Sequence, residues 1–132
     1  LEIYNLKDST HVVRIGPHGE PKFKVAEGYG IPTGIMGFCD VQVTDSAIYA
    51  VFQGRTFKEI TEATQRGEMT EGGWYVYVFS LEGEPLRKYE LDHAIYGMFV
   101  DGQFRTLVVV DINKDEPMVK FCCNKEKYTL GK

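Results

Sequence analysis

Three histidines, three cysteines and a scatter of carboxylates are the residues with chemistry to offer in this 132-residue chain, and their spacing decides what that chemistry could be. His11, His18 and His93 sit in or beside turn-forming stretches. No HxH, HExxH or CxxC spacing builds a zinc cradle around them, so they read as surface histidines, and neither a metal nor a cofactor is expected. Cys39, Cys122 and Cys123 form an odd set, and adjacent cysteines rarely bridge each other. At most one disulfide is open to them, and they read as buried or half-buried free thiols. Asp40, Asp45, Asp92, Asp101 and Asp111 fall at strand ends, where two carboxylates could meet for acid–base work. The commoner use of such an aspartate is to accept the backbone N–H groups of a turn. Ser46 and Ser80 lack the GxSxG elbow and a recognisable His–Asp partner, so no catalytic residue is assigned.

Aromatic residues offer recognition instead of catalysis. Trp74, Tyr75, Tyr77, Tyr29 and Phe57 could form a stacking platform for sugars or peptides, although strand aromatics ordinarily pack inside. Trp74 and Tyr29 stand apart because they adjoin glycine-rich stretches, 72–73 and 28–34, expected to run as exposed loops. These two are the expected ligand-binding residues.

The elements that must position these residues follow from composition and pattern. At 43% hydrophobic and 26% charged, the chain can bury one core and is too short for two ordinary domains. Fifteen basic against nineteen acidic residues leave a net charge of −4, mixed along the chain, which excludes the electrostatic footprint of a nucleic-acid binder. The longest apolar runs, such as 107–110, fall far short of the roughly 20 residues of a membrane-spanning helix, so no such segment is expected. The sequence opens at Leu1, already in a strand-like run, and reads as part of a longer protein whose address signal lies upstream.

Aromatic and β-branched residues cluster at 1–6, 12–15, 41–43, 48–52, 74–81, 89–91, 95–100, 107–112 and 118–122, separated by Gly, Pro, Asn and Asp turns. The pattern is all-β, with short connections that imply antiparallel meanders. Residues 56–69 carry Phe57, Ile60 and Thr64 at near-helical spacing and read as a short helix or a mobile insertion. Gly67, Gly72 and Gly73 nevertheless favour a loop excursion over a core helix. The runs 48–52 and 107–110 are apolar at consecutive positions, so both faces of those strands must be covered. Sheets stacked around an axis, as in a β-propeller, satisfy this with almost no helix. Weak internal repeats agree: residues 3–8 resemble 78–83, residues 119–122 read as a third copy, and 41–52 parallels 96–111.

The motifs DVQVTDSA at 40–47, IYAVFQG at 48–54, YVFSLEGEP at 77–85 and YELD at 89–92 resemble the six-bladed TolB-like propellers of Bacteroidetes, which are close in build to NHL-repeat propellers. The resemblance implies a late blade followed by the start of the next. It assigns residues 1–24 to the outer strands of one blade, 38–92 to a full blade with an insertion at 54–73, and 93–132 to most of another. The chain is therefore expected to be a single propeller fragment of about two to three blades, from the C-terminal part of its parent. Secretion or lipid anchoring outside the cytoplasm is implied by the same resemblance. Six blades need well over twice this length, and uncovered blade faces should make the chain associate with itself.

Two functions compete. The leading one is a non-catalytic binding module whose loops recognise a protein or glycan partner outside the cytoplasm. The alternative is a fragment of a carbohydrate-active lyase or hydrolase whose active centre needs the missing blades. A self-contained β-sandwich is a third possibility for the fold, distinguished by Greek-key crossings in place of consecutive antiparallel neighbours.

Overall fold

The computed structural model describes residues 1–68, 72–103 and 106–122, and Cys123 lies outside them. Among the described residues, eleven strands form four antiparallel sheets, accompanied by one helix. Strands β1 (Glu2–Asn5) and β2 (Thr10–Val13) form one hairpin, and β3 (Phe23–Ala26) and β4 (Tyr29–Pro32) a second. A four-stranded sheet follows in strict chain order: β5 (Phe38–Val43), β6 (Ile48–Phe52), β7 (Gly73–Phe79) and β8 (Pro85–Ile95). Strands β9 (Gly97–Asp101), β10 (Thr106–Val110) and β11 (Met118–Cys122) make the fourth sheet, a second meander. Every pairing described joins consecutive strands, the order of propeller blades and not the Greek-key order of a sandwich. The ring is not closed by these strands.

The four-stranded sheet is covered on both faces, as the consecutive apolar residues of β6 require. On one side Val51, Val76, Val78, Leu91 and Ile95 pack with Val100, Leu107 and Val109 of the β9–β11 sheet. On the other, Ile48, Ala50 and Phe79 meet Leu1 and Ile3 of the first hairpin. The latter layer is aromatic: Phe38 meets Phe52, Tyr77 and Phe79 edge-on, with centroids 5.2, 5.8 and 6.1 Å apart. Arg14 ties the hairpin to this sheet by donating to the Gly83 carbonyl at 2.5 Å and to Glu84 Oε1 at 3.0 Å. On the opposite side, Gln42 reaches the next sheet. Its Oε1 accepts from the Val100 N–H at 2.7 Å and its Nε2 donates to the Val100 carbonyl at 3.2 Å, so the side chain acts as a short length of ladder.

Two stretches depart from the sequence expectation. The segment after Thr56 is the short helix α1 (Phe57–Gln65), where the glycines favoured a loop excursion. A capping box starts it: Thr56 Oγ1 accepts from the Glu59 N–H at 3.1 Å and Glu59 Oε2 accepts from the Thr56 N–H at 2.7 Å. The glycines that argued against a helix lie beyond its end. Gly72 and Gly73 instead permit close strand approach. Gly72 has φ +111, and a Cβ there would stand 2.5 Å from the Ile95 carbonyl oxygen, while one at Gly73 would fall on Val51 Cγ1. The second departure is the β3–β4 hairpin itself, where a glycine-rich loop is expected.

Candidate functional site

Tyr29 lies in β4 and is 74% exposed, so it has the accessibility expected of it, on a strand and not on a loop. A two-residue turn places it there. Glu27 (φ 53) and Gly28 (φ 82) both adopt positive φ, the backbone of a hairpin turn whose twist matches its flanking strands. The base of the hairpin is held by the Lys22 carbonyl, which accepts from the Thr33 and Gly34 N–H groups at 2.9 and 3.1 Å.

Cross-strand register sets what each face presents. Phe23 opposes Pro32 and Val25 opposes Gly30, so these four share one face, with the Phe23 ring lying beside the Gly30 position. Ala26 and Tyr29, paired with each other, share the opposite face with Ile31. Phe23 and Val25 are as open as Tyr29. A lone two-stranded hairpin is marginal in water, and this one carries apolar side chains on both faces. Phe23 and Val25 escaped the sequence reading because the glycines after Gly28 suggest a loop. The legible signal was EG between the short runs FKVA and YGIP.

Trp74 differs from its expectation. It is the second residue of β7, half-buried instead of standing on an exposed loop, and the Arg55 guanidinium lies 4.9 Å from its ring centroid. Its Nε1 is buried with no hydrogen-bond partner among the described residues. One face of the indole is thus already occupied by a cation. Tyr29 and Trp74 belong to different sheets, and no ring contact joins them among the described residues.

The titratable residues also resolve. Asp8, Asp101 and Asp111 accept the N–H groups of Thr10, Gln103 and Asn113 at 3.0, 3.0 and 3.1 Å, the turn role expected for such aspartates. Asp111 does more. Only 2% exposed, it meets His93 Nδ1 at 3.1 Å through Oδ2 and the Asn113 side-chain amide at 2.8 Å through Oδ1. Burial pushes the Asp111 carboxyl up, but the hydrogen bonds from His93 and Asn113 outweigh it and hold the group below the ordinary aspartate value. His93 is therefore no surface turn residue: it lies in β8, half-buried, and joins that strand to the end of β10. His11 stacks on Tyr4 with centroids 4.1 Å apart, within the first hairpin.

Cys39 and Cys122 are free and exposed, not buried as their type suggests. The Cys39 thiol donates to the Val51 carbonyl at 3.7 Å, and desolvation, aided by Asp40, raises it above the ordinary thiol value. A thiol so disposed is a poor nucleophile. Among the described residues no group of three or more His, Cys, Asp or Glu side chains could hold a metal ion, and no helix is long and apolar enough to cross a membrane.

The sequence model of a family described as TolB-like 6-blade propeller-like matches residues 1–103. No curated protein and no solved structure matches the chain.

Proposed function

The chain belongs to the TolB-like 6-blade propeller-like family, and from that premise we propose that it is a non-catalytic binding module that docks on a partner protein through its β3–β4 hairpin. The observation that carries this reading is the hairpin's exposure of Phe23, Val25 and Tyr29 over both of its faces. Apolar side chains on an element too small to bury them gain from a partner's surface what the chain itself does not supply. Trp74 is a poorer contact than Tyr29 because Arg55 already covers one of its faces.

The finer parts of the reading belong to the same proposal. The segment is the C-terminal part of a Bacteroidetes-type propeller, working in the periplasm or lipid-anchored at the cell surface. Blade faces left open at its two ends associate with another copy. A groove of about 750 Å³ between β1 and β5, walled by Ile3, Val41, Val43, Ile48 and Leu81, supports that second contact. The alternative is a fragment of a carbohydrate-active lyase or hydrolase whose active centre needs the missing blades.

A photo-crosslinking amino acid at position 29 tests the hairpin. The expected product joins the chain to a discrete second protein and is lost with Phe23→Asp. Capture no greater than that of the same probe at exposed Asp115 would remove the proposal, and capture of a second copy alone would turn the hairpin into a self-association surface.

A further inference from the structure

Strand β8 changes course near its end, and the change brings together two neighbours that a regular strand would hold apart. Gly73 pairs with Ile95 but Tyr75 with Glu90, so residues 91–94 of β8 bulge out of the ladder. Successive side chains of a regular strand point to opposite faces. Here Asp92 and His93 converge instead, with His93 Nε2 3.6 Å from Asp92 Oδ1.

The imidazole is held from its other side. His93 Nδ1 lies 3.1 Å from Oδ2 of Asp111, whose side chain is 3% exposed. Asp111 Oδ1 accepts from the Asn113 N–H and side-chain amide at 3.1 and 2.8 Å, so the carboxylate is itself fixed in place. The Phe121 ring meets the imidazole edge-on, with centroids 6.0 Å apart. An ionised Asp111 can only accept, so the ring proton sits on Nδ1 and the neutral ring presents a lone pair at Nε2. That nitrogen makes no hydrogen bond among the described residues, yet it is not one of the buried polar atoms left without a partner, so solvent reaches it. The Asp92 side chain beside it is 85% exposed. A lone pair and a carboxylate thus face each other, both acceptors, at a spacing that favours a cation between them.

We propose that Asp92 and His93 bind a zinc ion, with Asp111 as the positioning residue behind the imidazole. Two ligands of a tetrahedral zinc, at bond lengths of about 2.0–2.2 Å, stand about 3.3–3.5 Å apart. The observed 3.6 Å reaches that spacing through a small rotation of the exposed Asp92 side chain. A zinc-ligating histidine ordinarily donates its second ring N–H to a carboxylate, which fixes the tautomer and raises the basicity of the ligating nitrogen. Imidazole with one carboxylate suits zinc better than magnesium or calcium, which take oxygen ligands. Two protein ligands leave the other positions to water, so binding falls in the micromolar to millimolar range and not in the tighter range of structural sites. No HxH or HExxH spacing announces the pair, because its members are chain neighbours and the group that orients them lies 18 residues away. This site is independent of the hairpin, and either proposal can fail without the other.

Titration of the whole chain with zinc chloride at neutral pH, read from the imidazole nitrogen resonances, tests the site. Zinc is expected to shift His93 Nε2 while Nδ1 keeps its proton, with His11 and His18 serving as internal controls. Zinc held by the thiols does not confuse this, because the readout is the His93 ring itself. Asp92→Ala, at an exposed position that leaves the fold alone, should weaken the binding about tenfold or more. Asp111→Asn should weaken it by about tenfold to a hundredfold and allow the His93 ring proton to move to Nε2, a tautomer change that lost packing alone would not produce. A His93 ring that millimolar zinc leaves unmoved, or binding that Asp92→Ala retains in full, would overturn the proposal. So would equal shifts at all three histidines, or equal shifts from magnesium. A His93 ring found doubly protonated at neutral pH and indifferent to zinc would assign the space between the two acceptors to a proton.

Discussion

Polar side chains that bridge sheets carry more than their exposure suggests. Gln42 satisfies both backbone groups of Val100, so Gln42→Leu leaves a donor and an acceptor unpaired between β5 and β9. The expected loss is about 1–3 kcal/mol in urea unfolding, with faster hydrogen exchange at the Val100 amide. Asp111 gives a pH dependence of definite sign. Its carboxyl titrates lower in the folded chain than in the unfolded one, so its contribution is complete above the unfolded value of about 3.9 and is lost as pH falls through the folded value. Unfolding followed from neutral pH to pH 2 should show this acid limb, and Asp111→Asn should make it shallower. Little of this was legible beforehand. Aspartates at turns are readable because the partner N–H lies two residues away, as with Asp101 and Gln103. The partner of Gln42 is 58 residues distant and that of His93 is 18, and both are brought close only by sheet packing.

The elements divide by whether their own residues settle them. Strands β6 and β10 declare burial on both faces through consecutive apolar residues, and the blade around them follows. Helix α1 showed in the near-helical spacing of Phe57, Ile60 and Thr64, which the glycines downstream outweighed, whereas the capping pair Thr56 and Glu59 that starts it went unread. Thr56→Ala is expected to cost about 1 kcal/mol and to raise amide exchange in the first turn of α1 before any change in the β5–β8 strands. Gly73 tests the opposite kind of dependence. A methyl group there meets Val51 Cγ1 and the Phe52 carbonyl, so Gly73→Ala should lower stability by about 1–3 kcal/mol, measured by thermal unfolding, although alanine suits most strands better than glycine. The β3–β4 hairpin was missed because its glycines read together as a loop. Gly28 makes the turn at positive φ, whereas Gly30 sits within the strand, where a Cβ would meet the Phe23 ring only at an ordinary 3.8 Å.

At the scale of the molecule, packing is serial: the first hairpin covers one face of the β5–β8 sheet and the β9–β11 sheet covers the other. The architecture was legible because serial stacking is what strands apolar on both faces demand. The partners of its outermost faces were not, since nothing in a sequence says what lies against them. Tyr4, Leu6, Val41 and Val43 remain open beside the β1–β5 groove, so light scattering is expected to show a mass that rises with concentration. Leu6→Lys with Val43→Lys should hold the chain monomeric while changing stability little, as both side chains are already exposed. The connection between sheets has a mechanical counterpart. Strand β8 passes into β9 through Tyr96 alone, and the Tyr96 N–H is itself bonded to the Val110 carbonyl at 2.8 Å. No slack exists at that joint for a protease to enter or for a hinge to turn. Tension applied along the chain must therefore pass directly from one sheet into the next, and the two should yield to force as one unit.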